Sequence, residues 1–350
     1  MSETSDLLRA TAERLFAEHL DKAVHEASEA GEWPAALWAA IEDAGLAAAL
    51  TPESAGGAGL DAADAFAVLE VAGHARAPVP LAETMIAGHL LGRAGITVPE
   101  GALSIASGDI GARRDGDHWV VEGRAARVPW VRHVAAVALL AKSGADTVLV
   151  LVPRGGFSCE AGANLAGEPR DGIVVAARVP ASSVAPSPVD ADGLRLLGAA
   201  ARTAQIAGAV RFVLDLTVDY VNTRVQFGKP IGRFQAIQHA MAVLAENAAA
   251  TSAALGLAAA GFGLSPADAL VPVAAGKARA GEAAGNAASI AHQSHGAIGF
   301  TREYDLHRAT RRLWSWRDEF GNEAEWQRAL GRAAAKTGAD GLWAFLTAAA

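Results

Sequence analysis

Cysteine is almost missing from this chain: Cys159 stands alone among 350 residues. One thiol excludes an intrachain disulfide framework and a thiolate metal site, and fits a reducing compartment. Charge is also sparse. Acidic and basic residues make up 19% of the chain, are interspersed, and leave a net charge of −8. Without a basic face, nucleic acid is not an expected partner. Long apolar runs are lacking too. Residues 134–153 come nearest to the roughly 20 that a bilayer-spanning helix needs, but Lys142, Ser143, Gly144 and Asp146 cut them into two strand-sized pieces. The first twenty residues carry Glu3, Asp6, Glu13 and Glu18 and have no basic start or continuous apolar core, so they do not read as a signal peptide. No GxGxxG follows a strand-like run, so no Rossmann site is expected. These absences predict a cytoplasmic protein with no membrane segment. What is present is a 51% apolar composition, ample for a sizeable core.

The apolar periodicity changes twice along the chain. Leu8, Ala12, Leu15 and Phe16 fall on one helical face, and residues 33–46 repeat the pattern. Asp61 is a candidate N-cap for a helix carrying Phe66, Leu69 and Glu70, which Pro78 and Pro80 end. From about residue 101 the texture becomes strand-like. Arg114-Asp115-Gly116-Asp117 and Ser143-Gly144 are hairpin signals, and residues 172–179 add a β-branched run. From about residue 190 the 3.6 period returns. Three long helical segments follow, with Gly228-Lys229-Pro230 between the first two and an Ala- and Gly-rich third, residues 267–295; a last helix starts near Asn322. The order predicts an α+β, mainly α fold: an N-terminal helical domain (1–100), a small antiparallel β domain (101–187) and a C-terminal helical bundle (188–350).

The most informative stretch is Arg224-Val225-Gln226-Phe227-Gly228-Lys229-Pro230-Ile231-Gly232-Arg233-Phe234-Gln235, a shaped turn between two helices. It suits an anionic, partly aromatic ligand, because a guanidinium fork matches phosphate oxygens. The stretch resembles the RxQFGxPIxxFQ signature of the acyl-CoA dehydrogenases. Gln293-Ser294-His295-Gly296-Ala297-Ile298-Gly299-Phe300-Thr301-Arg302-Glu303-Tyr304 resembles that family's QxxGGxGFTxEY element, and residues 307–312 resemble the Arg-rich stretch after it. Trp33, Gly45-Leu46, Pro52-Glu53 and Gly56-Gly57-Ala58-Gly59 resemble its N-terminal domain. The resemblance implies a helical domain, a β domain and a four-helix bundle, with FAD as cofactor and an acyl-CoA thioester as substrate. In that family FAD lies across a subunit interface. The implied cofactor contacts are Arg224, Gln226, Phe227, Gln293, Gly296 and Gly299.

The resemblance breaks where the chemistry should be. α,β-Dehydrogenation needs a carboxylate to take the α-proton. Aligned with the family, Phe320 occupies the usual Glu position, with Glu319 one residue early, and the alternative position falls near Gly198. The family's TEPxxGSD segment is absent, and Arg127-Val128-Pro129-Trp130 stands where its W/F-I-T-N strand is expected. The pattern resembles the non-catalytic subunit of heteromeric actinobacterial steroid-CoA dehydrogenases. It implies a homologous catalytic partner in an α2β2 tetramer. Two other readings stay open: a self-sufficient dehydrogenase using Glu319 as a displaced base, and a flavin-free assembly subunit. His292 and His295 lie three apart, but with no carboxylate or cysteine nearby they predict no metal site.

Overall fold

The computed structural model describes residues 2–347. The chain divides into two compact units. One holds residues up to Val68 together with Ala77–Leu194; the other holds Leu69–Arg76 and the chain from Arg195 onward.

The first unit begins with α1 (Glu3–His19), α2 (Lys22–Glu29) and α3 (Ala35–Asp43). The Ser2 hydroxyl accepts from Ser5 N–H at 2.9 Å and the Asp21 carboxylate from Val24 N–H at 2.9 Å, satisfying free donors at two helix starts. α1 buries Ala12, Leu15 and Phe16. α4 (Ala62–Ala75) starts on the predicted cap, Asp61, which accepts from Asp64 N–H at 2.9 Å. α4 stops before Pro78, and α5 (Leu81–Arg93) starts directly after Pro80.

Seven strands then form one sheet. They are β1 (Leu103–Asp115), β2 (His118–Pro129), β3 (Ala136–Ser143), β4 (Asp146–Pro153), β5 (Phe157–Glu160), β6 (Arg170–Pro180) and β7 (Val184–Pro186), in the order β5-β6-β2-β1-β3-β4-β7. Both hairpins lie where the turn residues place them. Asp115 pairs with His118 across Gly116 and Asp117, and Ser143 pairs with Asp146 across Gly144 and Ala145. The sheet departs from the antiparallel expectation at one pair, since β1 and β3 run parallel. After β2 returns along β1, the connection over residues 130–135 carries the chain past the start of β1 to its other side. Strand periodicity reports which residues face the core and is silent on such a crossover.

The second unit is helical. α6 (Ala191–Thr223) leads into a two-stranded ribbon, β8 (Val225–Gln226) and β9 (Lys229–Pro230). α7 (Gln235–Gly261), α8 (Pro266–His295), α9 (Leu306–Asp318) and α10 (Glu323–Thr347) follow. α9 covers the segment that the sequence marks only by its arginines. Ile206, Val210 and Val213 of α6, Leu244 of α7, Ala284 and Ala287 of α8, and Leu313 and Trp316 of α9 share one core. By length and composition α7 could cross a bilayer, the one such helix among the described residues. It packs along α8, burying Leu244, Ala254 and Ala258.

The 69–76 segment reaches α6 at very close range. A Cβ on Gly208 would sit 1.8 Å from the Glu70 carbonyl oxygen, and one on Gly73 would sit 2.2 Å from that of Gln205. Only glycine lets the two backbones touch there. Gly208→Ala should therefore destabilise the fold by roughly 1–3 kcal/mol, read as a lower urea midpoint at unchanged slope.

Candidate functional site

The ribbon after α6 is a finger. Val225 pairs with Pro230 and Gln226 with Lys229, leaving Phe227 and Gly228 at the tip. Their φ angles are +51° and +78°, the two left-handed residues of a type I′ hairpin turn. Glycine suits this conformation, but a bulky Phe there is an outlier. The Phe227 ring is 91% exposed and meets Phe234 edge-on at 6.1 Å. Lys229 Nζ lies 4.3 Å over the Phe234 ring and braces the base of the finger. Arg224 is exposed, and its guanidinium has no ion pair among the described residues. Gln226 folds back, its Nε2 donating to the Val225 carbonyl at 2.8 Å.

The other predicted contacts lie at the end of α8. Gln293 is exposed and its side chain has no hydrogen bond among the described residues. Gly296 caps the helix with φ +64°, its N–H donating to the His292 carbonyl, and has open space where a Cβ would point. Gly299 is placed differently. It is buried, and a Cβ there would come within 3.0–3.2 Å of Leu306, His295 and His292, so packing within the chain already favours a glycine. The finger and the α8 terminus are joined: the Tyr220 ring of α6 stacks on His295 at 4.3 Å. His292 instead stacks on Phe300 at 4.1 Å and bonds Thr310 Oγ1 at 2.9 Å. No group of three or more metal-ligating side chains occurs among the described residues.

The two positions at which the family resemblance implies a base touch each other. Phe320 (φ +56°) and Gly321 (φ +102°) form the turn between α9 and α10. The Phe320 ring lies on Gly198 of α6, so close that a Cβ at residue 198 would be 2.4 Å from it. Neither position has a carboxylate. Glu319 turns to Arg202, with Oε2 accepting from Nε at 2.8 Å and side-chain exposures of 8% and 2%. Arg317, the nearest cation in sequence, pairs with Glu323 instead. An ion pair that deep locks the carboxylate in place; Glu319 is engaged, not presented.

Three further groups pin the same turn. Lys277 is fully buried, and its Nζ donates to the carbonyls of Arg317 at 2.6 Å and Gly321 at 2.8 Å. Burial pushes its pKa down to about 7, with Glu319 and Glu323 opposing. Arg195 Nε donates to the Phe320 carbonyl at 3.2 Å and its guanidinium pairs with Glu325. Trp326 Nε1 donates to the Gly321 carbonyl at 3.2 Å. Sequence reasoning missed Arg202 and Lys277, which lie far from residue 319 along the chain. The available signal was a lysine on the small-residue face of α8, between Val273 and Ala280. In the first unit, Trp130 (φ +56°) is buried with its ring 6.4 Å from that of His133, which stacks on Trp33.

Lys277 also gives the fold a pH dependence. Its folded pKa lies below the unfolded value, so the folded state disfavours the proton. That destabilisation is present in full below about pH 7 and relaxes as pH rises from there toward the ordinary lysine value of 10.5. Urea midpoints should climb over that window. Lys277→Met should flatten the climb and, by leaving the Arg317 carbonyl unmet while Trp326 still serves that of Gly321, cost roughly 1–3 kcal/mol at alkaline pH.

Comparison with known proteins agrees with this architecture. Residues 2–97 match the model for the acyl-CoA dehydrogenase N-terminal domain and residues 196–333 that for the C-terminal domain. The acyl-CoA dehydrogenase IpdE2 of Mycobacterium tuberculosis is 33% identical over 311 residues, covering 87% of this chain and 89% of its own. Among solved structures, the ChsE4-ChsE5 complex from Mycobacterium tuberculosis superposes with a TM-score of 0.86 at 24% identity, over 97% of this chain and 99% of the other. The Tcur3481-Tcur3483 steroid ACAD does so with a TM-score of 0.83 at 26% identity, over 95% and 98%. Members of the family these matches define bind FAD. The chain belongs to the acyl-CoA dehydrogenase family.

Proposed function

We propose that this chain is the non-catalytic subunit of a heteromeric, FAD-dependent acyl-CoA dehydrogenase, and that it completes the FAD site of a homologous catalytic subunit. One observation carries the reading. The Phe320 ring on Gly198 and the Arg202–Glu319 ion pair fill the region where a base is needed, while the Arg224 finger projects without a partner among the described residues.

The donor set fits a dinucleotide's outer half. Arg224 offers an exposed guanidinium for pyrophosphate oxygens. Gln293 offers a free amide, and open Gly296 allows close backbone approach. Phe227 presents a bare ring to an aromatic or apolar edge. When bound, FAD would supply the hydride acceptor for the β-carbon of an acyl-CoA thioester. This chain's own residues would hold the anionic linkage and leave proton abstraction to the partner. The pairwise naming of both neighbouring structures supports a heteromer, for which the proposed form is α2β2. The steroid in one of those names makes a bulky, steroid-derived CoA thioester the first substrate to try.

Co-expression with a homologous subunit from the same genome should yield a yellow complex holding fewer FAD than chains, and this chain alone should not reduce flavin with acyl-CoA. An active yellow homo-oligomer of this chain would overturn the proposal. Arg224→Ala should weaken FAD retention by the complex by about 1.5–3 kcal/mol, roughly ten- to a hundredfold in Kd. Full FAD occupancy after that change would favour a flavin-free assembly role. Glu319→Gln should leave flavin reduction by the complex unchanged, whereas its loss in a complex that still assembles and retains FAD would make Glu319 the base.

A further inference from the structure

We infer that His295 is a positioning residue that holds the Arg224 finger and the Gln293–Gly296 turn at one separation, so that both meet a single cofactor; this rests on the function proposed above. The two segments end different helices, α6 and α8, and nothing in their own hydrogen bonding sets the distance between them. His295, the last residue of α8 and 4% exposed, supplies that tie. Its Nδ1 lies 2.8 Å from the Ala291 carbonyl. A carbonyl only accepts, so Nδ1 carries the proton. In the neutral ring Nε2 is then an acceptor, and it takes the Tyr304 hydroxyl at 3.1 Å.

With the tautomer set in this way, the ring stands face to face with Tyr220 at 4.3 Å and 23°. Tyr304 closes the cluster, 5.1 Å from His295 and 6.1 Å from Tyr220. A second tie runs between the same residues, the Tyr220 hydroxyl donating to the His295 carbonyl at 3.3 Å. Tyr220 lies one helical turn before Arg224, and its carbonyl accepts the Arg224 N–H at 2.8 Å. Gln293 lies two residues before His295 and Gly296 directly after it. The clasp therefore joins the root of the finger to the turn that carries the other contacts. Removing it leaves every proposed FAD contact in place and loosens only their spacing. Misplacing a binding group without deleting it raises Kd by losing preorganisation.

The test compares FAD affinity with subunit assembly in the complex with the homologous subunit. FAD release is followed by flavin fluorescence and assembly by light scattering. His295→Ala should raise the FAD Kd about tenfold, or 1.4 kcal/mol, with assembly intact. His295→Phe, which keeps the stack on Tyr220, should recover most of that loss. Tyr220→Leu, which keeps His295 and removes both the stack and the hydroxyl tie, should raise the Kd at least as much as His295→Ala, and it decides by the same criterion if the histidine variant does not assemble. A Kd within about twofold of the parent for these variants, alongside a large rise for Arg224→Ala, would overturn the positioning role and leave the proposed function standing. No change for Arg224→Ala either would remove the reading on which it rests. Failure of His295→Phe to recover affinity would also overturn the clasp as described.

Discussion

Close approach along one helix organises the second unit. α6 spans 33 residues, about 50 Å, and at successive levels it presents either no side chain or one that must be met from outside. Gly198 accepts the Phe320 ring, Arg202 takes Glu319, Gly208 admits the Glu70 carbonyl, Tyr220 receives His295, and Arg224 stands clear at the end. A bulkier residue at 198 or 208 would push its neighbour away and shift everything carried on it. Interiors are too tightly packed to absorb such a change.

The turn at residues 319–321 shows what that constraint does to chemistry. In an enzyme of this family the region needs a carboxylate directed at a substrate. Here it contains an aromatic ring on a glycine, a carboxylate held by a buried guanidinium, and a buried ammonium closing two backbone carbonyls. Each polar group has a partner inside the protein, which is what burial demands. Those charges hold the turn between α9 and α10. The finger is the opposite case. It holds a strained Phe in the open and, beside it, an Arg with no ion pair among the described residues, an arrangement with little stabilising return inside the chain. Strain kept at an exposed tip points to something outside the chain that uses it.

Much of this was legible in the sequence, for definite reasons. Asp61 begins α4 because its side chain matches a free N–H, and both hairpins turn where Gly accepts a positive φ. The finger was visible because Gly228, Pro230 and two cations interrupt a helical period. The partners of Glu319 were not legible. The nearest cation in sequence, Arg317, points to Glu323, and the actual partner is 117 positions away. Gly299 shows the same limit: its motif position implies a ligand contact, while its surroundings favour a glycine for packing alone.

By itself the sequence determined the element order, the family, the absence of a carboxylate at residues 198 and 320, and the identity of the exposed finger. These depend on local periodicity, turn stereochemistry and residue type, all of which are written along the chain. Only the tertiary structure decided that residues 198 and 320 are one place, that Arg202 and Lys277 hold the turn between α9 and α10, that β3 runs parallel to β1, and that Tyr220 and His295 tie two motifs together. Those facts come from side chains far apart in sequence meeting in a close-packed interior, where shape and the need to satisfy every buried polar group choose the partner.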